Sequence, residues 1–352
     1  MSTLLANLAL SLSNRFERLG ELGNLEKAIE YEYRALELTP DDHPYRPFMH
    51  STLANLQLHQ SQSTTDPSLL QVSLDSFRTA AHSLAGSPRR RFQYAVNWAH
   101  QALLHSSLNC LEAYQTAIDL LPQFIWLGAT TNQRYLDLEQ TENLAVKAAY
   151  AAIIASEYTL ALEWLEHGRC VVWNQNLMLR SPLDQLLSRD PALATRLQTV
   201  AVRLHHAGSE SRQSQAWPQE YNDLIAQART RPGFEDFLQP IKVKGLVGVA
   251  RQGPIVVINC HENRCDALLI TPGKGHVKHI ALPNFTGKKA HLTRLEMGQL
   301  VRNSHQSERG VERRPVVEDR VEFENVLTCL WYDVVKPVLD SFGVHSAFSY
   351  PE

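Results

Sequence analysis

The sequence contains little cysteine, and its distribution does not suggest a disulfide framework. Five cysteines are spread over 352 residues, at positions 110, 170, 260, 265 and 329. An odd and dispersed set is typical of free thiols in a reducing compartment. The apolar positions of the N-terminal segment are not preceded by basic residues, so a signal peptide is not indicated. We therefore expect a cytoplasmic protein.

Long apolar runs and an excess of charge are also missing. No run of about 18 apolar residues occurs, so the sequence predicts no membrane-spanning helix and no membrane partner. The net charge of -3 argues against a surface for polyanions, so nucleic acid is not an expected partner. A hydrophobic content of 44% is ordinary for a folded protein, and the length allows two or more domains.

The familiar sequence motifs of phosphate binding, hydrolysis and metal binding do not occur. The patterns GxxxxGK[ST], GxSxG, HExxH and the EF-hand spacing are all missing. The segment TPGKG at 271–275 is too short and wrongly placed for a phosphate-binding loop. The sequence therefore predicts no cofactor, no metal ligand and no catalytic residue.

What the first half does contain is a recurring pair of amphipathic helices. The segment 25–40 carries Ala28 and Ala35 on one helical face and ends at Pro40, which cannot continue a helix. The tetrapeptide LANL occurs at 5–8 and again at 53–56, a spacing of 48 that also separates Pro40 from the next marker, a proline at 88. Such spacing indicates a structural repeat.

A second interval supports a repeat architecture. Pro88 and Pro122 are 34 residues apart, which is the tetratricopeptide (TPR) period, and we expect Pro122 to end a helix. The polar segment 59–68 is predicted to be a loop between paired helices. Further pairs are expected, with helices predicted at 3–19, 24–38, 68–85, 140–156 and 158–180. The predicted fold class is mainly α, a TPR-like α-solenoid of helical hairpins.

The remainder changes character after residue 183. Two long helices, 184–207 and 214–230, are predicted, with Pro191 near an early boundary of the first, and a small α+β region follows them. Three β-rich segments at 254–260, 264–270 and 276–282 indicate an antiparallel β-meander, with helices at 287–303 and 317–341 after it. The predicted domains are the helical repeats at 1–182, a helical hairpin linker at 183–240 and the α+β region at 241–352.

Two groups of residues resemble reactive sites but are better explained by packing. His167 and Cys170 share a helical face and could touch, yet their segment is one helix of the predicted stack without an oxyanion site. Cys260, His261 and Cys265 surround a hairpin tip, but a closed zinc site needs four ligands. We predict structural roles for both groups.

Other histidines and aromatic residues receive similar interpretations. His276 and His279 are separated by an odd number of residues and should point to opposite faces of a strand. His205 and His206 are expected to cap a helix or face solvent. Most tryptophans (Trp98, Trp126, Trp164 and Trp173) are expected in the core. Groove-facing tyrosines such as Tyr31 or Tyr33 could contact a ligand peptide.

Several segments together resemble a known protein family. RFERLG, LEKAI and LELTPDDHP, then LEAYQTAIDLLP, WLEHGRCVVWNQ, PIVVINCHENRCDALLI and LWYDVVKPVLD, are similar in order to fungal proteins that join TPR-like repeats to a CHAT domain. CHAT domains are caspase-like modules associated with such repeats. In that family the catalytic His and Cys lie beyond the segment that resembles LWYDVVKPVLD, so the resemblance implies an incomplete CHAT domain here.

Three hypotheses follow. The leading one is a non-catalytic interaction scaffold that holds a protein or peptide in the concave repeat groove. The alternative is a fragment of a caspase-like cysteine peptidase effector whose catalytic segment lies beyond the C-terminus. An enzyme of another class, acting between the helical and β-rich parts, has no supporting group of residues. An unpaired edge of the short sheet is also expected to favour self-association.

Overall fold

The computed structural model describes residues 1–64, 66–85, 88–105, 110–126, 143–176, 182–206, 217–239, 242, 250, 252–307 and 317–343. Within these ranges the chain is mainly helical and has one small antiparallel sheet. Its contacts divide it into a first unit, residues 1–148 with 167–240, and a second unit, residues 149–166 with 241–352. The three sequence-based domain boundaries stay a prediction.

Six helices open the first unit. They are α1 (Ser2–Leu19), α2 (Leu22–Glu37), α3 (Arg46–Thr64), α4 (Pro67–His82), α5 (Pro88–Leu104) and α6 (Cys110–Trp126). Each of them packs chiefly on its neighbours in the sequence. The helix pairs start at Ser2, Arg46 and Pro88, so successive pairs are 44 and 42 residues apart.

Small residues allow these helices to pack closely. Ala28 and Ala35 are completely buried on one face of α2, as their spacing predicts. Ala6 and Ala54, the alanines of the two LANL segments, are buried on α1 and α3. Because an alanine adds only one methyl group to the helix surface, a neighbouring helix can approach at each of these points.

Pro88 does not repeat the structural position of Pro40, and the prediction that Pro122 ends a helix is wrong. Pro88 is the first residue of α5, where its missing N–H would have no helical partner and its fixed φ suits the helix. Pro122 lies inside α6, which continues to Trp126. The residues before it, Ile118 and Leu121, are buried, and this packing holds the helix in place where proline removes a hydrogen bond. The 34-residue interval is therefore not the distance between helix pairs.

The predicted loop at 59–68 is also largely wrong, because α3 continues to Thr64 and α4 begins at Pro67. Ser63 and Thr64 donate hydroxyl hydrogen bonds to carbonyls four residues earlier, each at 2.8 Å, so their polar side chains are accommodated within the helix. Asp66 then caps α4 by accepting the Ser68 amide at 2.9 Å.

Helices α7 (Leu144–Ile154) and α8 (Tyr158–Asn176) are shared between the units, since residues 149–166 belong to the second. The first unit then continues with three helices, α9 (Pro182–Arg189), α10 (Pro191–His206) and α11 (Trp217–Arg229). The single helix predicted at 184–207 is thus divided before Pro191. Asp190 caps α10 by accepting the Leu193 amide at 3.1 Å.

The sheet of the second unit has the order β1-β2-β3, with β1 (Ile255–Cys260), β2 (Cys265–Ile270) and β3 (Val277–Leu282). Both neighbouring pairs are antiparallel, which confirms the predicted meander. All six residues of the central strand β2 are buried, so both faces of the sheet are covered.

Four further elements complete this unit: α12 (Gly287–Ser307), α13 (Val317–Leu330), a π-helical turn (Trp331–Val335) and α14 (Lys336–Asp340). One face of the sheet, including Cys265 and Leu282, packs against Val334 and Val338. The predicted helix at 317–341 is therefore present as a nearly continuous helical run. None of the helices described is long and apolar enough to cross a membrane.

Candidate functional site

Two tyrosines and an arginine meet near the starts of α3 and α5 in the first unit. We call Tyr45, Arg90 and Tyr94 the tyrosine–arginine corner. Arg90 and Tyr94 are four residues apart on α5 and so share a helical face. Arg90 is exposed and donates a side-chain hydrogen bond to Tyr94. The charge of Arg90 also acts on Tyr45, which precedes α3.

The corner has a distinct electrostatic environment. Burial raises the pKa of Tyr94, while the charge and hydrogen bond of Arg90 oppose that change. Burial also raises the pKa of Tyr45, and a negative charge at Glu32 would raise it further. Both phenols are therefore neutral hydrogen-bonding groups at physiological pH.

Arg46 adds a second cation close to Tyr45. Its guanidinium donates hydrogen bonds to the carbonyls of Leu36 and Thr39 at the end of α2, and it forms an ion pair with Asp41 at 2.9 Å. Burial lowers the pKa of His50, one turn further along α3, and the charge of Arg46 lowers it further. The start of α3 is thus held rigidly by hydrogen bonds to the preceding helix.

Glu32 is a buried carboxyl group whose charge, when present, would act on Tyr45 of the corner. It is 0% exposed on α2, on the face that Ala28 and Ala35 occupy, and neither carboxylate oxygen has a hydrogen-bond partner among the described residues. Burial raises its pKa from 4.5 to about 8. Because an ionised carboxylate is strongly disfavoured there, Glu32 is mostly protonated at neutral pH.

The tyrosines expected to face a groove have structural contacts. Tyr31 is half-buried against the core cluster around Leu25. Tyr33 is 44% exposed, and its hydroxyl accepts a hydrogen bond from the Gln57 amide at 2.8 Å. Gln57 in turn accepts from Ser76 at 2.8 Å, so this chain of hydrogen bonds connects α2, α3 and α4.

A second polar cluster lies in the sheet of the second unit. Asp266 is completely buried, and its carboxylate lies 2.7 Å from Nε2 of His279 and 3.1 Å from Nε of Arg264. The ring of Tyr158 stacks on His279 with centroids 4.9 Å apart. The stacked tyrosine covers the histidine, and the geometry favours a structural role in fastening residues 149–166 to the sheet.

The residues that resembled a zinc site are only partly brought together. Cys260 and Cys265 are directly opposite each other in the sheet, whereas the His261 ring stacks on Tyr150 with centroids 3.8 Å apart. No group of three or more His, Cys, Asp or Glu side chains suited to a metal ion occurs in the part of the chain that the structure describes.

Of the pair His167 and Cys170, the structure describes only the histidine side chain. His167 is buried in α8, and burial lowers its pKa to about 4, so it is neutral at physiological pH. The Cys170 side chain lies outside the described residues, as do those of His205, His206, Trp126 and Trp173. Trp98 and Trp164 are in the core as predicted, and His276 is exposed just before β3.

Sequence reasoning missed Glu32 and the corner. The stripe through Ala28 and Ala35 passes through position 32, so a carboxylate on an apolar face was a usable signal. For Arg90 and Tyr94 the four-residue spacing was visible, but Tyr45 comes from another segment and only the fold brings it to them.

Comparisons with protein-family models, curated proteins and solved structures find no match for this chain.

Proposed function

We propose that this protein is a non-catalytic interaction scaffold whose paired helices, a TPR-like solenoid, hold a protein or peptide segment in a concave groove. The observation that carries the proposal is the tyrosine–arginine corner, where exposed Arg90 hydrogen-bonds Tyr94 and its charge acts on Tyr45 of the preceding helix pair. Packing of each helix on its sequence neighbours supports a repeat architecture.

The chemistry of the corner favours a partner with a carboxylate. Arginine binds carboxylates through parallel N–H donors, and the neutral phenol of the half-buried Tyr45 can hydrogen-bond the backbone of an extended chain. Tyrosine and arginine are also the residue types enriched among the energetically dominant contacts of interfaces. The proposed ligand is therefore an extended segment with an acidic side chain or a free C-terminal carboxylate.

The second unit is proposed to be a CHAT-like α/β module. Its support is the three-stranded meander, which is covered on one face by Val334 and Val338 of the helical run that contains LWYDVVKPVLD. In this proposal the module has no peptidase activity. Robust cleavage of a peptide library by the full chain that is lost on Cys170→Ala would contradict the proposal of a non-catalytic scaffold.

The scaffold proposal is tested by peptide display on the full chain, followed by calorimetry with the selected peptides. We expect acidic sequences to be enriched. Arg90→Ala should weaken their binding about tenfold or more, since a lost charge-assisted hydrogen bond costs about 1.5–3 kcal/mol. Tyr94→Phe should weaken it less, because the ring remains.

Arg196→Ala is the matched control. Arg196 is also a largely exposed arginine on a helix of the first unit, where it pairs with Glu220 at 2.8 Å. Its substitution should leave peptide affinity unchanged. Selection of peptides without acidic residues, or equal weakening by Arg90→Ala and Arg196→Ala, would refute the assignment of the corner as the binding site.

A further inference from the structure

Cys260 and Cys265 form a cross-strand dithiol, and we propose that it is a reversible redox site that exchanges with low-molecular-weight disulfides such as glutathione disulfide. The two residues close the β1–β2 hairpin and are direct partners in its register. Both are free thiols in the structure.

The hydrogen bonding of the strand shows which kind of pair they form. The Cys265 amide donates to the Phe285 carbonyl at 3.0 Å, on the β3 side of β2. In an antiparallel sheet the N–H and C=O of one residue point to the same neighbour, so Cys260 and Cys265 form a non-hydrogen-bonded pair. Cα atoms in such pairs are about 4.5 Å apart, which lies within the range that a disulfide spans.

The two thiols differ in the way that an exchange reaction requires. Cys260 is exposed and can be reached by a soluble disulfide, whereas Cys265 is 0% exposed. The Cys265 thiol donates a hydrogen bond to the Cys260 sulfur, which lowers the pKa of Cys260 to about 7 and raises that of Cys265. Cys260 is therefore the attacking thiolate and Cys265 the resolving thiol.

The exchange proceeds in two balanced steps. The Cys260 thiolate attacks one sulfur of glutathione disulfide, the S–S bond breaks, and one glutathione leaves as a thiolate that takes up a proton. Cys265 then loses its proton and attacks the Cys260 sulfur of the mixed disulfide, which releases the second glutathione. Two protein thiols are oxidised to one disulfide, and glutathione disulfide is reduced to two glutathione molecules.

The surroundings hold the hairpin tip in this geometry. The His261 carbonyl accepts the Gly287 amide at 2.9 Å, and the His261 ring is stacked on Tyr150. The segment that joins the two cysteines is thus fixed at its first residue. Oxidation would add a covalent bond where the strands already meet, so the fold need not rearrange.

The sequence allows a direct test. Trypsin cleaves after Arg251, Arg264 and Lys274, so the two cysteines fall on separate peptides, 252–264 and 265–274. The native chain is equilibrated in glutathione buffers of increasing oxidation, quenched with acid and N-ethylmaleimide, digested and examined by mass spectrometry. We expect the two peptides joined by a disulfide, in a fraction that reverses when reduced glutathione is restored.

Variants distinguish the roles of the two thiols. Cys260→Ser should abolish the linked peptides, and Cys265→Ala should trap glutathione on Cys260. Cys110→Ser, which removes a free thiol of the first unit, should change neither result. At pH 7 Cys260 should also react with iodoacetamide about a hundredfold faster than Cys110, whose pKa burial raises to about 11, because the larger thiolate fraction of Cys260 outweighs its lower nucleophilicity.

Two results would overturn the proposal. One is no linked pair in the native chain at any glutathione ratio, while the unfolded chain forms one. The other is equal glutathione trapping in the wild-type chain and in Cys265→Ala, which would show that Cys265 does not resolve the mixed disulfide.

Discussion

Replacing the buried Glu32 with glutamine should remove a large pH dependence from the stability of the first unit. In the folded chain burial raises the pKa of Glu32 to about 8 from its ordinary value of 4.5. Between these values the folded state holds a proton that the unfolded state has lost. The free energy of unfolding must therefore fall as pH rises from 4.5 to 8.

The size of the effect follows from that interval. Each pKa unit corresponds to ~1.36 kcal/mol, so the shift from 4.5 to about 8 amounts to about 5 kcal/mol. This contribution is fully present below pH 4.5, is lost progressively as pH rises, and is absent above pH 8. Since many domains are stable by only ~5–15 kcal/mol, such a loss is easily measured.

The assay is urea unfolding followed by helical circular dichroism at several pH values between 4.5 and 8. Glu32→Gln keeps the size of the side chain and cannot ionise, so the difference in unfolding free energy between wild type and variant should grow with pH in favour of the variant. Glu26→Gln, at an exposed position of the same helix, should follow the wild type. Parallel curves for wild type and Glu32→Gln would refute the reasoning.

Four other predictions concern the two units. Gly287→Ala should destabilise the second unit by about 1–3 kcal/mol in chemical unfolding, because the new Cβ would lie 2.6 Å from a backbone carbonyl oxygen. The control Gly298→Ala lies in the same helix, and its Cβ would meet only the end of an arginine side chain at 3.9 Å. It should not lower the stability of the unit. Asp266→Ala should cost about 3 kcal/mol in the same assay, since it leaves a histidine and an arginine without their buried partner. The wild type should lose about 3 kcal/mol of stability as the pH falls from 6.5 towards 4, because the unfolded chain protonates His167 in this range while burial keeps it neutral in the folded chain. His167→Gln should not show this loss. A variant as acid-sensitive as the wild type would contradict the prediction. The chain should associate with rising concentration in size-exclusion chromatography, since strand β1 pairs only with β2 among the described strands, and a clean monomer at high concentration would count against an adhesive edge.

Periodic features of the sequence were sufficient to predict most of the described helices and the three described strands. The strands were visible because β-branched runs such as PIVVINC are bounded by turn residues, and their antiparallel pairing follows from the short connections. The alanines of α2 were predicted on the packed face because spacing alone determines which residues share a helical face.

Helix ends were less predictable because they depend on interactions that periodicity does not report. Pro122 is tolerated inside α6 because burial of the preceding turn outweighs one missing hydrogen bond. The polar residues up to Thr64 remain helical because their hydroxyls bond back to the helix. In both cases the local preference was real, but tertiary packing or side-chain hydrogen bonding opposed it.

The candidate site could not be predicted because its parts are distant in the sequence. Tyr45 and Arg90 belong to different helix pairs, and no spacing rule relates them. The dithiol could have been predicted from the sequence, because Cys260 and Cys265 are symmetric about the predicted hairpin tip. The register and the Cys265 amide hydrogen bond were needed to show that the pair is of the non-hydrogen-bonded type.

The most direct test of the scaffold proposal is hydrogen–deuterium exchange of the full chain with and without a selected acidic peptide. The account predicts that protection on binding is concentrated at the starts of α3 and α5, around Tyr45 and Arg90 to Tyr94, and that it disappears in Arg90→Ala. Protection confined to the sheet at 255–282, or none at either helix start despite saturating peptide, would contradict the account.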